Sequence, residues 1–141
     1  MKTVLISLTI LATAVLFWFC KQPKYAPGAF PDKQLRWGSG GGIVGRESIF
    51  TLLENGQIFK AEPGGQLTEL SKTGARQAKA IFKTATTLDL IKLDFQHPGN
   101  VYDFLEYQEG SVIQRITWGD QKYPVDAKIK DLFAQLKALI K

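Results

Sequence analysis

Along this chain, apolar residues alternate with polar ones in some stretches and recur every three or four positions in others. Residues 33–37 (Lys-Gln-Leu-Arg-Trp) predict a first strand, broken by Gly38, Ser39, Gly40, Gly41 and Gly42. Residues 47–54 are apolar or β-branched at Ile49, Phe50, Thr51, Leu52 and Leu53, and after Asn55-Gly56 comes the run 57–60. An Asn-Gly pair between two runs of this kind predicts a hairpin whose turn residues both accept positive φ. The spacing of Ala78, Ile81, Phe82, Ala85 and Leu88 predicts a helix over about 74–87, capped by Ser71 or Thr73. Past the turn His97-Pro98-Gly99-Asn100, residues 101–108 and 111–118 flank Glu109-Gly110 and predict a second hairpin. In its second arm Val112, Gln114, Ile116 and Trp118 share one face, and Ile113, Arg115 and Thr117 the other. Neither face is cleanly apolar, so the buried side stays open. Ile129, Leu132, Phe133, Leu136, Leu139 and Ile140 form the stripe of a last helix from about Asp126.

The order is therefore β-ββ-α-ββ-α, an α+β fold. Short hairpin connections imply an antiparallel sheet of about five strands, with both amphipathic helices packed on it.

Before this domain runs an uncharged stretch, residues 3–20, preceded by Lys2 and ending in Leu16-Phe17-Trp18-Phe19-Cys20. A basic start before an apolar run is the pattern of an export signal, and its length is close to the minimum for a spanning helix. Residues 1–20 thus read as a signal or membrane anchor, 21–31 as a Pro-rich tether, and 32–141 as one domain. Lipidation at Cys20 and an uncleaved anchor both stay open. Cys20 is well placed, but bulky Phe19 stands where lipoprotein signals carry a small residue. Trp18 and Phe19 suit a membrane interface, with Lys21 and Lys24 just outside it. A freely secreted form fits less well, because cleavage after Ala12-Thr13-Ala14 would strand an apolar stub on the mature protein. The expected location is extracytoplasmic, on the periplasmic or cell-surface side.

With Cys20 as its only cysteine the domain has no internal disulfide, so an apolar core must hold it. The net charge of +5 includes Lys2, Lys21 and Lys24, and the remaining cations are spread along the predicted helices. No basic cluster is interleaved with aromatic residues, which argues against nucleic acid as a partner. The single histidine, His97, falls in a Pro-Gly turn and reads as a solvated loop residue. No spacing suits a protein-built metal site, so no metal and no cofactor is expected. Asp103 with Glu106, or Glu106 with Glu109, are the carboxylate pairs available for acid–base work, and they read as the solvated side of a hairpin. No catalytic residue is assigned, and the chain is not expected to be an enzyme.

Gly40, Gly41, Gly42, Ile43, Val44 and Gly45 match G-x-G-x-x-G, but Arg46-Glu47-Ser48 leads into a β-rich run instead of a helix. A plain flexible connection between strands is one reading. The other is a binding loop, since Ile43 and Val44 sit on backbone with few side chains and could approach another surface closely.

The glycine run after a first strand, followed by strand, helix, hairpin and terminal helix over residues 33–141, resembles the emfourins, small bacterial inhibitors of thermolysin-type metalloproteases. That resemblance implies an envelope protease as partner. The chain departs from the family in its N-terminal segment and its Asn55-Gly56 hairpin. It is also similar to uncharacterised envelope lipoproteins, which share the glycine run and Leu53-Glu54-Asn55-Gly56. Two functions are thus expected: a membrane-tethered interaction domain, in its sharpest form a protease inhibitor, or a structural or ligand-binding envelope lipoprotein with no protease target. The latter draws on Trp37, Tyr102, Tyr107, Trp118 and Tyr123 as candidate surface aromatics.

Overall fold

A computed structural model describes residues 23–43 and 45–140. Residues 1–20, expected as an export signal or anchor and including Cys20, and Val44 lie outside the described residues. No helix among the described residues is long and apolar enough to cross a membrane.

The fold is α+β, built on one seven-stranded sheet. Its elements are β1 (Gln34–Gly41), β2 (Ser48–Leu53), β3 (Gln57–Ala61), β4 (Leu67–Lys72), α1 (Ala75–Thr87), β5 (Gln96–His97), β6 (Val101–Glu109), β7 (Val112–Trp118) and α2 (Ala127–Ala138). The strands lie in the order β4-β3-β2-β1-β6-β7-β5.

Seven strands replace the expected five, and the sheet is mixed, because β5 runs parallel to β7. Both unexpected strands are edges. From Thr68 to Lys72, β4 is exposed at every position, so no burial rhythm marks it, and pairing with β3 alone defines it. The strand β5 has two residues, too few for any period.

The β2–β3 hairpin forms as expected, with Leu52 opposite Ile58, but its turn differs. Only Gly56 has positive φ, at 90°, and its N–H donates to Leu53 O at 2.9 Å. The loop thus has three residues closing on a left-handed glycine, and Asn55 is free to use its side chain. Asn55 Oδ1 accepts from Gln57 N at 2.9 Å, and its Nδ2 donates to Pro23 O at 2.7 Å.

One sheet face carries the main core. Leu35, Trp37, Leu52, Ile58, Leu105, Tyr107, Ile116 and Trp118 meet Ala78, Ile81, Phe82 and Ala85 of α1 and Ile129, Leu132, Phe133 and Leu136 of α2. Of the two faces of β7, the Ile116–Trp118 side is therefore the one under the helices. Both helices start within a residue of their expected positions. Asp126 caps α2 by accepting from Lys128 N at 2.8 Å. Gly74 precedes α1 without a side-chain cap, and the hydroxyl of Thr73 donates to Gln77 Oε1 instead.

The opposite face is partly covered by residues 23–31. Gln57, fully buried, accepts from Tyr25 N at 2.7 Å and donates to Tyr25 O at 3.1 Å. The Phe30 ring sits 4.6 Å from the Phe59 ring, and Lys24 pairs with Glu69. Within the stretch expected as a tether, Pro23, Lys24, Tyr25 and Phe30 are thus fastened to the domain.

Candidate functional site: the glycine turn and its brace

The strand β1 does not stop at Trp37. It continues through the glycines to Gly41, paired with β2 as far as Ser39 and with β6 over its whole length. These glycines mark close approach rather than a break. A Cβ on Gly38 would lie 1.8 Å from Ser48 O and 2.9 Å from the Phe104 ring. One on Gly40 would lie 2.7 Å from the Tyr102 hydroxyl and 2.8 Å from Glu47 Cγ. Gly41 has φ of 89°, and its Cβ would fall 2.1 Å from Asn100 O. Both its conformation and its neighbour demand glycine.

Of the six residues singled out in the sequence, Gly40 and Gly41 thus belong to the sheet. Gly42 starts the connection to β2, and its N–H donates to Asn100 O at 2.7 Å. Gly45 N donates back to Gly42 O at 3.3 Å. Between them Ile43 is wholly exposed, at 106% of its reference area. Val101, the partner of Gly41, is exposed beside it at 63%. Gly45 leads into β2, so the glycine pattern joins strand to strand.

The far end of the connection is held by Glu47 and Arg115, to which sequence reasoning gave no role, and by Tyr102, which it took as a candidate surface aromatic. Glu47 accepts from the Tyr102 hydroxyl at 2.8 Å and from Arg115, whose Nη2 makes a close ion pair with Oε1 and whose Nη1 lies 3.4 Å from Oε2. The Arg115 guanidinium in turn stacks 3.7 Å above the Phe104 ring. That ring occupies the space left open by Gly38. One network therefore links β6, β7 and the residue before β2 across the glycines of β1, on the face away from the helices. Burial works to raise the Glu47 carboxyl, but the hydrogen bonds from Arg115 and Tyr102 and the guanidinium charge outweigh it, holding the group below the usual glutamate range. The hydrogen bond to Glu47, followed by burial and the carboxylate charge, raises the Tyr102 phenol. The sequence traces of this brace were Arg115 sharing a face with Thr117 and Tyr102 among the candidate surface aromatics.

Next to the brace, a groove of about 610 Å³ runs between residues 46–49 and the β3–β4 turn, with Arg46, Lys60 and Glu62 on its walls. It is open along one side, which suits an extended segment better than an enclosed small molecule.

The other sequence candidates are scattered. His97 is not a loop residue; it lies half-buried in β5, its ring 4.2 Å from Tyr123 and 4.8 Å from Phe95, because pairing of β5 with β7 draws the turn onto the sheet edge. Asp103 accepts from Ser39 at 2.6 Å, and Glu106 pairs with Arg36 at 2.7 Å. Three positions apart on β6, these two carboxylates project from opposite faces, as do Glu106 and Glu109. Among the surface aromatics considered, Trp37, Tyr107 and Trp118 are buried, Tyr102 is half-buried, and Tyr123 is exposed. Among the described residues no three His, Cys, Asp or Glu side chains gather closely enough to hold a metal ion.

Compared with known proteins, the chain matches no family model and no curated sequence.

Proposed function

We propose that the chain is an extracytoplasmic interaction domain, tethered to a membrane by its N-terminal segment, that offers the turn at residues 42–47 to a protein partner. One observation carries this reading: Ile43 stands fully exposed between two anchored ends, the Gly42–Asn100 bond and the Glu47 brace. An apolar side chain on a turn fixed at both ends loses little conformational freedom on binding, which favours association. The adjoining groove extends the surface available to a partner. A protease is the specific partner proposed, in line with the emfourin resemblance. Such a turn could enter an active-site cleft while the domain itself stays outside.

The test compares the full-length chain with the Ile43→Asp, Val44→Asp double variant. Each would be used to capture partners from its own cell envelope, and the captured protease would be assayed with and without the chain. The reading predicts capture of a metalloprotease and its inhibition, both lost in the double variant at an unchanged melting temperature. Equal capture and inhibition by the double variant would remove the turn from the binding surface. A second reading, a structural or ligand-binding envelope lipoprotein without a protease target, rests on Tyr123, exposed and stacked on His97 at the sheet edge.

A further inference from the structure

The cations that the sequence spreads along both helices fall into a pattern once the helices are placed. The helix α1 crosses the strands at the end where β1 begins. Its Phe82 ring lies 6.3 Å from that of Tyr107, which sits opposite Leu35, and Lys33 Nζ is 5.7 Å from the Phe82 ring centre. The helix α2 crosses nearer the glycines, with Phe133 5.1 Å from Trp118 and sharing a cavity lining with Gly38 and Ser48. Arg76, Lys79 and Lys83 are exposed on α1 and fall within about 60° of its circumference. Lys72, exposed at the end of β4, precedes them. The helix has no acidic residue, and none of the four cations makes an ion pair among the described residues. Glu54, Glu69 and Glu109 are already paired with Lys33 or Lys24. Asp131 lines the groove between the helices with Lys83, but Lys128 lines it too and offsets that charge.

The chain enters the domain at this same end. Leu53 pairs with Gln34, and in the turn that follows Asn55 Nδ2 donates to Pro23 O at 2.7 Å. Gly56 O accepts from Thr73 N at 2.9 Å, two residues before α1 begins. Three positions separate Pro23 from Cys20, the last residue of the expected anchor. Even fully extended, that length of chain spans at most about 11 Å. A domain fastened so close to a bilayer keeps its entry end at the surface, and that end carries the α1 cations. The strand β1 runs from there to Gly41, about 23 Å at the usual rise, so Ile43 lies at the opposite end.

We infer that Lys72, Arg76, Lys79 and Lys83 dock on the anionic lipid headgroups of the membrane that holds the chain. The inference rests on the membrane tethering proposed above, and it deepens that reading. Docking on this face aims β1, and with it the turn at Ile43, away from the bilayer and towards a partner. A merely solvated charged face would show no preference for anionic lipid.

The experiment places the full-length chain, ¹⁵N-labelled, in nanodiscs of phosphatidylcholine alone or mixed with anionic phosphatidylglycerol, each carrying a gadolinium-chelate lipid. Paramagnetic broadening is compared at Ala80, exposed on α1, and at Gly110, exposed in the β6–β7 turn at the same end of the sheet. Docking predicts similar broadening of the two in neutral discs and a gain confined to Ala80 in anionic discs. Arg76→Gln, Lys79→Gln and Lys83→Gln together are expected to lower the ratio of docked to undocked domain about 100-fold, restoring the neutral pattern at an unchanged melting temperature. Lys130→Gln with Lys137→Gln, which removes charge from α2 instead, should leave the gain in place. A gain absent from anionic discs, shared equally by Gly110, or kept in the triple variant would overturn the docking and leave the tethering intact. A chain that did not co-purify with neutral discs would overturn the tethering, and the docking with it.

Discussion

The two halves of β1 share one strand and a common neighbour in β6, yet they are built in opposite ways. In the first half, Leu35 and Trp37 fill the core under the helices and Arg36 pairs with Glu106 on the other face. In the second, Gly38, Gly40 and Gly41 have no side chains at all, and the space is filled from neighbouring strands by Phe104, Tyr102 and Glu47. The first half is held by what it carries, the second by what it leaves out. Glycine here lets neighbouring groups approach the backbone, so a run that suggests flexibility ends as a paired strand.

The largest effect that would break this comparison lies in the first half. Trp37→Ala should cost about 3–5 kcal/mol in chemical denaturation, because it removes a large, almost wholly buried side chain. Gly38→Ala tests the second half. The added Cβ meets backbone oxygen, which cannot turn aside as a side chain would, so a loss of about 1–3 kcal/mol is expected, the scale of overpacking. If Gly38→Ala were neutral, the glycines would not be there for close approach.

The smallest effect concerns the brace. Glu47→Gln removes a partly exposed ion pair while preserving shape, so about 1 kcal/mol is expected at neutral pH after allowance for solvent screening. The Glu47 carboxyl is depressed in the folded state, so its contribution is complete above the ordinary glutamate pKa and disappears as pH falls through the lower folded value. Acid titration of stability in the native chain and in Glu47→Gln should therefore converge at low pH. A difference that persisted there would mean that the brace does not act through the charged carboxylate.

Sequence reasoning located the elements that announce themselves by rhythm. The helix stripes Ala78–Ile81–Phe82–Ala85 and Ile129–Leu132–Phe133–Leu136 fall on the core, and both hairpins form. It missed β4 and β5, where exposure and brevity erase any period. It also ended β1 at Gly38, since nothing local shows that Phe104, 66 positions later, needs the room. The turn was legible as glycines around an apolar pair. Its brace was not, because Glu47, Tyr102 and Arg115 meet only through strand register.

The central claim is that the glycine run is a braced platform for Ile43 and not a loose connection. Amide hydrogen exchange at Gly42, whose N–H bonds to Asn100 O, tests this most directly. Protection at Gly42 comparable to that of Leu35, falling away sharply at Ile43, is the result predicted. Free exchange from Gly38 onward would contradict it, and would make the turn a flexible connection with nothing fixed to present.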